Sequence, residues 1–176
     1  MSEHERLLAE GYLDGIEERS IDDVRTMRAE CVAVETGLSY FRRMVQGRLD
    51  IVESEQARRA EGIDAAGLPD LIGQLPEILA EHRRPDGIGR LPQSLTPPEP
   101  DPVLVDELDE LAGPGKLSTL TELPDDELTE LADELGELER RVSERRRLLF
   151  DRIDALQAEL TRRYQSGEAN VETLLQ

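Results

Sequence analysis

The chain of 176 residues has no tryptophan, and only 3% of its residues are aromatic. A compact globular core usually contains more aromatic bulk, whereas long helices packed side by side need little of it. The lone cysteine, Cys31, cannot form an internal disulfide, so nothing indicates an oxidising compartment. Cys31 falls on an apolar helix face, where a small buried side chain is the expected role.

Basic residues and long apolar runs are also scarce. Lysine and arginine number 21 against 40 acidic residues, and the net charge of -19 argues against binding DNA or an anionic membrane through a general basic surface. No stretch resembles a signal peptide or is long enough to span a bilayer, so we expect a cytoplasmic protein. Two scattered histidines, His4 and His82, provide no metal-ligand spacing and no nucleophile with a base. We therefore predict neither a metal site nor an enzyme.

What the chain does contain is a composition of leucine, glutamate, arginine and alanine that is typical of coiled coils. Ser20 followed by Asp22 and Asp23 predicts the start of one long helix, with Ser20 as its N-cap. Pro124 with acidic residues behind it predicts the start of a second. At 1.5 Å per residue, about 40 residues make a helix about 60 Å long, too long for an ordinary globular domain.

The fold class predicted from these patterns is all-α, a long antiparallel two-helix coiled coil with short accessory helices and a proline-rich connection. Short helices are expected at 68–82 and 103–111, and an extended linker at 85–102. The predicted segments are a short N-terminal helix (1–19), the first coiled-coil helix (20–60), the connecting region (61–122), the second coiled-coil helix (123–166) and a C-terminal tail (167–176).

The first long helix has a polar stripe that organises the rest of the interpretation. Its members follow the spacing E-x3-S-x2-R-x3-Q-x3-D and, at about 100° per residue, lie within roughly 80° of one another on one helix face. An apolar seam lies roughly 100° to one side, so the seam can be buried while the stripe stays half exposed. The stripe is Glu35, Ser39, Arg42, Gln46 and Asp50, and the seam is Cys31, Val34, Leu38, Phe41, Val45 and Val52.

A second copy of the stripe lies on the second long helix at the same spacing. Its members are Glu139, Ser143, Arg146 and Asp154, while Phe150 replaces the glutamine. A matching seam accompanies it, and self-similarity of this kind carries more weight than any single match. The second seam consists of Leu135, Leu138, Val142, Leu149 and Leu156.

If the two helices pack antiparallel with Arg42 opposite Arg146, their ends coincide, because residue 60 then lies near residue 128 and residue 21 near residue 167. This agreement predicts a pseudo-two-fold axis near the middle.

The same antiparallel packing brings together arginines from both helices, which leaves two interpretations open. They pair with Glu35, Glu139, Glu144 and Asp50 as a solvated face, or they bind an anionic ligand. The arginines are Arg42, Arg43 and Arg48 on one helix and Arg140, Arg141, Arg145, Arg146 and Arg147 on the other.

The chemistry of the stripe suits a guanine nucleotide. Arginine forks pair with phosphate or with the O6 and N7 edge of guanine. Carboxylates accept hydrogen bonds from the N1–H group and the exocyclic amine of guanine, and serine and glutamine fill either role.

The first stripe also resembles the signature of the RsiG family of actinobacterial anti-sigma factors, which it matches in full. The second stripe departs from it at Phe150, which offers an aromatic contact in place of the amide. The resemblance implies an antiparallel coiled coil that binds cyclic di-GMP, here two molecules, as a regulatory ligand at Glu35, Ser39, Arg42, Gln46, Asp50, Glu139, Ser143, Arg146 and Asp154. It also implies sequestration of a sporulation sigma factor of the WhiG type, with no direct DNA or membrane binding.

Other interpretations remain beside this one. A coiled-coil adaptor without nucleotide binding predicts no special effect of Arg42→Ala. An acidic RNA polymerase cleavage factor fits poorly, because such proteins place a short acidic turn at the coiled-coil tip. In this chain the tip holds the long connecting region, 61–122. Gly37 and Gly47 interrupt the first helix either as tolerated residues or to admit a close approach to the backbone. Candidate surfaces for the sigma factor are the coiled-coil face away from the nucleotide and residues 5–18 and 103–111.

Overall fold

The computed structural model describes residues 3–62 and 100–167, and every regular element in these ranges is helical. The all-α prediction is confirmed. The expected helix at 68–82, most of the linker at 85–102 and nearly all of the tail at 167–176 lie outside the described residues. The helices are α1 (Glu3–Leu8), α2 (Ile21–Ala60), α3 (Pro102–Ala112), α4 (Pro114–Ser118) and α5 (Asp125–Ser166), with 3-10 helices at Ile16–Glu18 and Leu120–Glu122.

The chain forms two compact units that share the long helices. Unit 1 comprises residues 1–39 and 143–176. Within it, the first half of α2 packs antiparallel on the second half of α5. Arg25 near the start of α2 donates to the Tyr164 hydroxyl at 2.5 Å, and Glu35, further along α2, accepts from Arg146 at 2.9 Å. The partner residue number falls as the number on α2 rises, which is the antiparallel order that the sequence predicts.

Unit 2 comprises residues 40–142 and has the same internal order. Here the second half of α2 packs antiparallel on the first half of α5. Arg42 donates to Glu139 at 2.5 Å, and Arg59, at the other end of this half, pairs with Asp125 at 2.6 Å. Each unit therefore contains a piece of both long helices and one of the two accessory regions.

The apolar seam is buried in both units. All eleven seam residues predicted from the sequence have at most 8% of their surface exposed. Burying one such side chain contributes about 1.5–3 kcal/mol, which explains why helices of this length form in a chain so rich in charge. The buried seam residues are Cys31, Val34, Leu38, Leu149 and Leu156 in unit 1 and Phe41, Val45, Val52, Leu135, Leu138 and Val142 in unit 2.

The start of α2 is fixed by Ser20, as predicted. The Ser20 Oγ atom accepts from the Asp23 N–H group at 3.1 Å and donates to the Asp23 carboxylate at 2.6 Å. The Ser20 N–H group also donates to that carboxylate at 3.3 Å, so the two residues cap the helix reciprocally. The hydrogen bond from Ser20 lowers the pKa of Asp23.

A buried arginine near the end of α5 holds the segment that leads into α2. Arg163 donates to the backbone carbonyls of Arg19 at 2.6 Å, Ile16 at 2.7 Å and Glu17 at 3.3 Å. Glu159 orients the guanidinium through a 2.5 Å ion pair, and both charged residues are at most 9% exposed. We call Glu159, Arg163 and residues 16–19 the Arg163 clamp.

Unit 2 repeats this arrangement with Arg59. Its guanidinium donates to the carbonyls of Leu123 at 2.7 Å, Leu120 at 3.1 Å and Thr121 at 3.3 Å, and it pairs with Glu55 at 2.7 Å. We call Glu55, Arg59 and residues 120–123 the Arg59 clamp. The two clamps are separated by the same interval along the sequence as Glu35 and Glu139, so the internal repeat extends well beyond the polar stripe.

The accessory helix of unit 1 is shorter than the sequence suggests. Helix α1 ends at Leu8, because Gly11 and Gly15 take left-handed backbone conformations with φ of 80° and 68° that no α-helix contains. Leu7 is fully buried, and Arg152 donates to the carbonyl of Ala9 at 2.8 Å. This segment is thereby fastened to α5 within unit 1.

The accessory helix of unit 2 is α3, which lies close to its predicted range of 103–111. Its apolar side is buried through Leu104, Leu108 and Ala112. Arg48 donates to the carbonyls of Leu108 at 2.9 Å and Ala112 at 3.1 Å in the last turn of the helix, and it pairs with Asp109 at 2.6 Å. Both segments proposed for sigma-factor docking thus bury apolar side chains inside the protein itself, Leu7 in the first and Leu104 and Leu108 in the second.

Candidate functional site

In unit 1 the structure brings together three stripe residues from opposite helices. The Glu35 carboxylate accepts from Arg146 Nε at 3.1 Å and from Arg146 Nη2 at 2.9 Å. It also accepts from the Ser39 hydroxyl, one turn further along α2, at 2.5 Å. The charged side chains are 13% and 21% exposed, so solvent screens this pair only partly. We call Glu35, Ser39 and Arg146 the unit 1 cluster.

In unit 2 the equivalent pair has the helices exchanged. Glu139 on α5 accepts from Arg42 Nε at 2.5 Å and from the Gln46 side-chain amide at 3.4 Å. Its side chain is 17% exposed and that of Arg42 is 32% exposed. We call Arg42, Gln46 and Glu139 the unit 2 cluster. In both clusters, the glutamate of one copy pairs with the arginine of the other.

The three remaining predicted site residues lie on the same two helices, outside these clusters. Ser143 is half-buried one turn before Arg146 on α5, and Asp50 is half-buried one turn after Gln46 on α2. Asp154 is exposed, and within the described residues it forms no hydrogen bond to the unit 1 cluster. Each cluster of three residues therefore forms the core of the candidate site in its own unit.

The cross-pairing gives the charged side chains of both clusters an ionic partner. Each glutamate neutralises one guanidinium, as the interpretation of a solvated face expected for Glu35 and Glu139. Any ligand must therefore provide new partners for both members of a pair, because a partly buried charge that loses its ionic partner costs free energy. A ligand that offers an acceptor to the arginine and a donor to the glutamate meets this requirement.

The arginines predicted to gather around the stripe have different roles. Arg48 holds α3, and Arg141 of α5 pairs with Glu107 of α3. Arg140 pairs with Glu137 at 3.1 Å on an exposed surface of α5. Of the arginines predicted to gather around the stripe, three are exposed and form no ion pair within residues 3–62 and 100–167, and they leave positive charge near the stripe: Arg43, Arg145 and Arg147.

Other surface features do not compete with the clusters as an anion site. A groove of about 640 Å³ in unit 2 is lined by carboxylates of α5, whose charge repels a phosphate. Among the residues that the structure describes, no three histidine, cysteine or acidic side chains are grouped to hold a metal ion. The carboxylates lining the groove are Asp125, Asp126, Glu130, Asp133, Glu134 and Glu137.

The sequence interpretation missed the two clamps, although a signal for them was present. Both contain the pattern E-x2-R-R, which begins at Glu55 in the first long helix and at Glu159 in the second. Extending the comparison of the two copies beyond Asp50 and Asp154 reveals this pattern at equal spacing. Arg58 pairs with Glu55 at 2.6 Å and completes that pattern in unit 2.

Comparison with known protein families gives a match that covers most of the chain. A family model described as RsiG-like matches residues 10–79 and 114–176, more than half of the sequence, and includes all nine predicted site residues. A search of the curated proteins found no match. In the two described ranges of the chain, every helix is too short or too polar to cross a membrane.

Proposed function

Since the chain belongs to the RsiG family, a regulatory family of anti-sigma factors, we propose that it binds cyclic di-GMP and in that state sequesters a sporulation sigma factor of the WhiG type. The family implies a sigma factor as the protein partner. Two nucleotides bind per chain, through the stripe residues of unit 1 and unit 2, and act as regulators without being converted.

The observation that carries the proposal is the arginine–glutamate pair in each unit. Cyclic di-GMP offers acceptors to arginine through its phosphates and through the O6 and N7 atoms of guanine. The same molecule offers donors to glutamate through the N1–H group and the exocyclic amine of guanine. Binding therefore exchanges one set of partners for another and leaves neither charge unpaired.

The same reasoning predicts selectivity for guanine. Adenine has an acceptor at N1 where guanine has a donor, so it cannot present two adjacent donors to Glu35 or Glu139. A cyclic di-adenylate nucleotide would draw the arginine away from the carboxylate without supplying the donor pair that replaces it. We expect such a molecule to bind far more weakly than cyclic di-GMP.

Calorimetric titration with cyclic di-GMP tests the nucleotide part of the proposal. The wild type should bind close to two nucleotides per chain. Arg42→Ala and Arg146→Ala should each weaken binding by roughly 10- to 100-fold, since hydrogen bonds to charged groups contribute about 1.5–3 kcal/mol. Arg140→Ala is the matched control, because it removes an equal charge from an exposed pair on α5 and should change affinity less than about twofold.

Gel filtration with a WhiG-type sigma factor tests the regulatory part. The complex should form in the presence of cyclic di-GMP and fail to form without it or with the cyclic di-adenylate. If equal amounts of complex form with and without cyclic di-GMP, the regulatory part of the proposal is wrong, even when the nucleotide itself binds.

The second candidate is a coiled-coil adaptor without nucleotide binding. The observation in its favour is that the cluster arginines already have partners in both units. It predicts no heat of binding with cyclic di-GMP and only small losses of stability in Arg42→Ala and Arg146→Ala. Folded wild-type protein that gives no heat in the titration would favour this candidate.

A further inference from the structure

The two copies of the stripe differ at one position, which holds Gln46 in the first and Phe150 in the second. Phe150 is 44% exposed, whereas the other phenylalanine, Phe41, is completely buried. An isolated exposed apolar residue needs no explanation by itself. The surroundings of Phe150 distinguish it, because the guanidinium carbon of Arg146 lies 5.5 Å from the ring centre.

This contact joins the ring to the unit 1 cluster. Arg146 interacts with Phe150 through the face of the ring and with Glu35 through two hydrogen bonds at 2.9 and 3.1 Å. A cation positioned over an aromatic face is held by the quadrupole of the ring. The ring therefore has a fixed neighbour on α5, although a large part of its surface remains in water.

Unit 2 shows what the glutamine does at the equivalent position. The Gln46 amide donates to Glu139, the carboxylate that also pairs with Arg42. In unit 1 the corresponding carboxylate, Glu35, instead receives a hydrogen bond from Ser39. Position 150 is therefore not needed to orient the glutamate, and an aromatic ring is tolerated there.

We propose that Phe150 stacks on a purine base of the nucleotide bound in unit 1, so that the two units hold their nucleotides through different contacts. The inference rests on the proposed function and adds a residue that determines how one base is held. Stacking on an aromatic side chain uses the face of the base, which is available whatever its edge contacts. In unit 1 it replaces the amide contact that the E-x3-S-x2-R-x3-Q-x3-D spacing would otherwise supply.

Proton NMR of cyclic di-GMP bound to the protein provides the direct test. A guanine H8 signal should shift upfield on binding, because a stacked base lies in the ring current of Phe150. The shift should disappear in Phe150→Leu and persist in Phe150→Tyr. Leu148→Ala is the matched control, since Leu148 is 39% exposed on the same helix and lies off the stripe.

Calorimetry supplies the second readout. Phe150→Leu should weaken one of the two binding events by roughly tenfold, a typical effect of removing a stacked aromatic residue, and leave the other unchanged. Phe150→Gln should retain two binding events without the upfield shift, because it restores the amide of the first copy. Circular dichroism checks that these exposed substitutions leave the helices intact.

The outcomes separate this inference from the proposed function. Two normal binding events and an unchanged H8 signal in Phe150→Leu overturn the stacking role while leaving cyclic di-GMP binding intact. A folded wild type that does not bind cyclic di-GMP overturns both.

Discussion

Unit 1 and unit 2 contain equivalent clamps and equivalent polar stripes, but the clamps are more alike than the stripes. The Arg163 clamp and the Arg59 clamp make equivalent hydrogen bonds to three backbone carbonyls each, at distances that differ by less than half an ångström. The stripe diverges where Phe150 replaces a glutamine. The clamps are therefore the same in both units, whereas the candidate binding surfaces differ.

The accessory helices show a second divergence. Arg48 in unit 2 has two carbonyls and a carboxylate as partners. Arg152, the equivalent residue in unit 1, donates to one carbonyl and lies 5.4 Å from the Tyr12 ring centre. Its buried Nη1 atom has no hydrogen-bond partner in the part of the chain that the structure describes. Because a buried donor without a partner costs free energy, we expect the accessory region of unit 1 to be held less tightly than that of unit 2.

The largest effect should come from breaking the clamps. In Arg163→Ala, Glu159 keeps only the half-exposed Arg162 and three carbonyls lose their donor, so we expect a loss of about 3 kcal/mol in the free energy of unfolding. Arg59→Ala should cost about 2 kcal/mol, because Glu55 keeps a more buried partner in Arg58. Urea denaturation measures both values.

Two further variants make this comparison specific. Arg163→Lys keeps the charge but lacks the fork that reaches several carbonyls, so it should recover only part of the loss. Arg147→Ala removes an exposed arginine from the same helix and should change stability by less than about 0.5 kcal/mol. Equal losses in Arg163→Ala and Arg147→Ala would show that the clamp does not hold the segment.

Acid should weaken both clamps. The hydrogen bonds from Arg162 and Arg163 lower the pKa of Glu159 from 4.5 to about 2, and those from Arg58 and Arg59 lower the pKa of Glu55. A lowered folded-state pKa contributes stability above the unfolded-state value, and that stability is lost as the pH falls through the folded-state value. The contribution of the Arg163 clamp should therefore be complete above about pH 4.5 and decline towards pH 2, and that of the Arg59 clamp should fall in the same direction.

Thermal unfolding of the wild type and of Glu159→Gln between pH 6 and pH 2 checks this expectation. The neutral variant should be less stable at pH 6, and the difference should shrink as the wild-type carboxylate becomes protonated. A difference that stays constant over this range would mean that Glu159 is not the titrating group.

The N-cap of α2 should have a smaller effect. Ser20 and Asp23 cap this helix reciprocally in unit 1, whereas Pro124 stands at the equivalent position in unit 2 and has no side-chain donor or acceptor. Ser20→Ala should lower the free energy of unfolding by about 1 kcal/mol. Ser20→Thr keeps the hydroxyl and should stay close to the wild type, and a loss as large as that of alanine would contradict the capping role.

The sequence predicts the helices and the seam well because both depend on local periodicity. A residue such as Leu38 or Leu149 repeats at helical spacing and is buried wherever two such faces meet. The ends of α2 and α5 are also predicted closely, because Ser20 and Pro124 act on the helix that they begin. The RsiG resemblance is confirmed by the family match.

The use made of each arginine was harder to predict. Arg42 and Arg48 are both polar residues on one helix, but one pairs with Glu139 and the other holds α3. That choice depends on which carbonyls and carboxylates the folded chain places within reach, and helical periodicity contains no information about them. The shortened α1 shows a related limit, because the left-handed glycines that follow it are visible in sequence only as glycines.

The smallest effect should come from Gly47, next to Gln46 on α2. Among the residues that the structure describes, a Cβ atom at Gly47 would meet no atom within 4 Å, so Gly47→Ala should stabilise the protein by about 0.5–1 kcal/mol by restricting the unfolded chain. Gly136 on α5 has equally open surroundings, and Gly136→Ala is the matched control with the same expected gain. A loss of stability in either variant would contradict the conclusion that a Cβ atom fits at that position.

Cyclic di-GMP titration of the same pair decides between the two interpretations of Gly47. If the glycine is merely tolerated, both alanine variants bind as the wild type does. If its missing side chain admits the nucleotide to the backbone beside Gln46, Gly47→Ala loses affinity in unit 2 while Gly136→Ala does not. In that case unit 2 would accommodate its ligand through a glycine on α2, where unit 1 has Asp151 at the equivalent position of α5, and the two units would differ at a second point of contact.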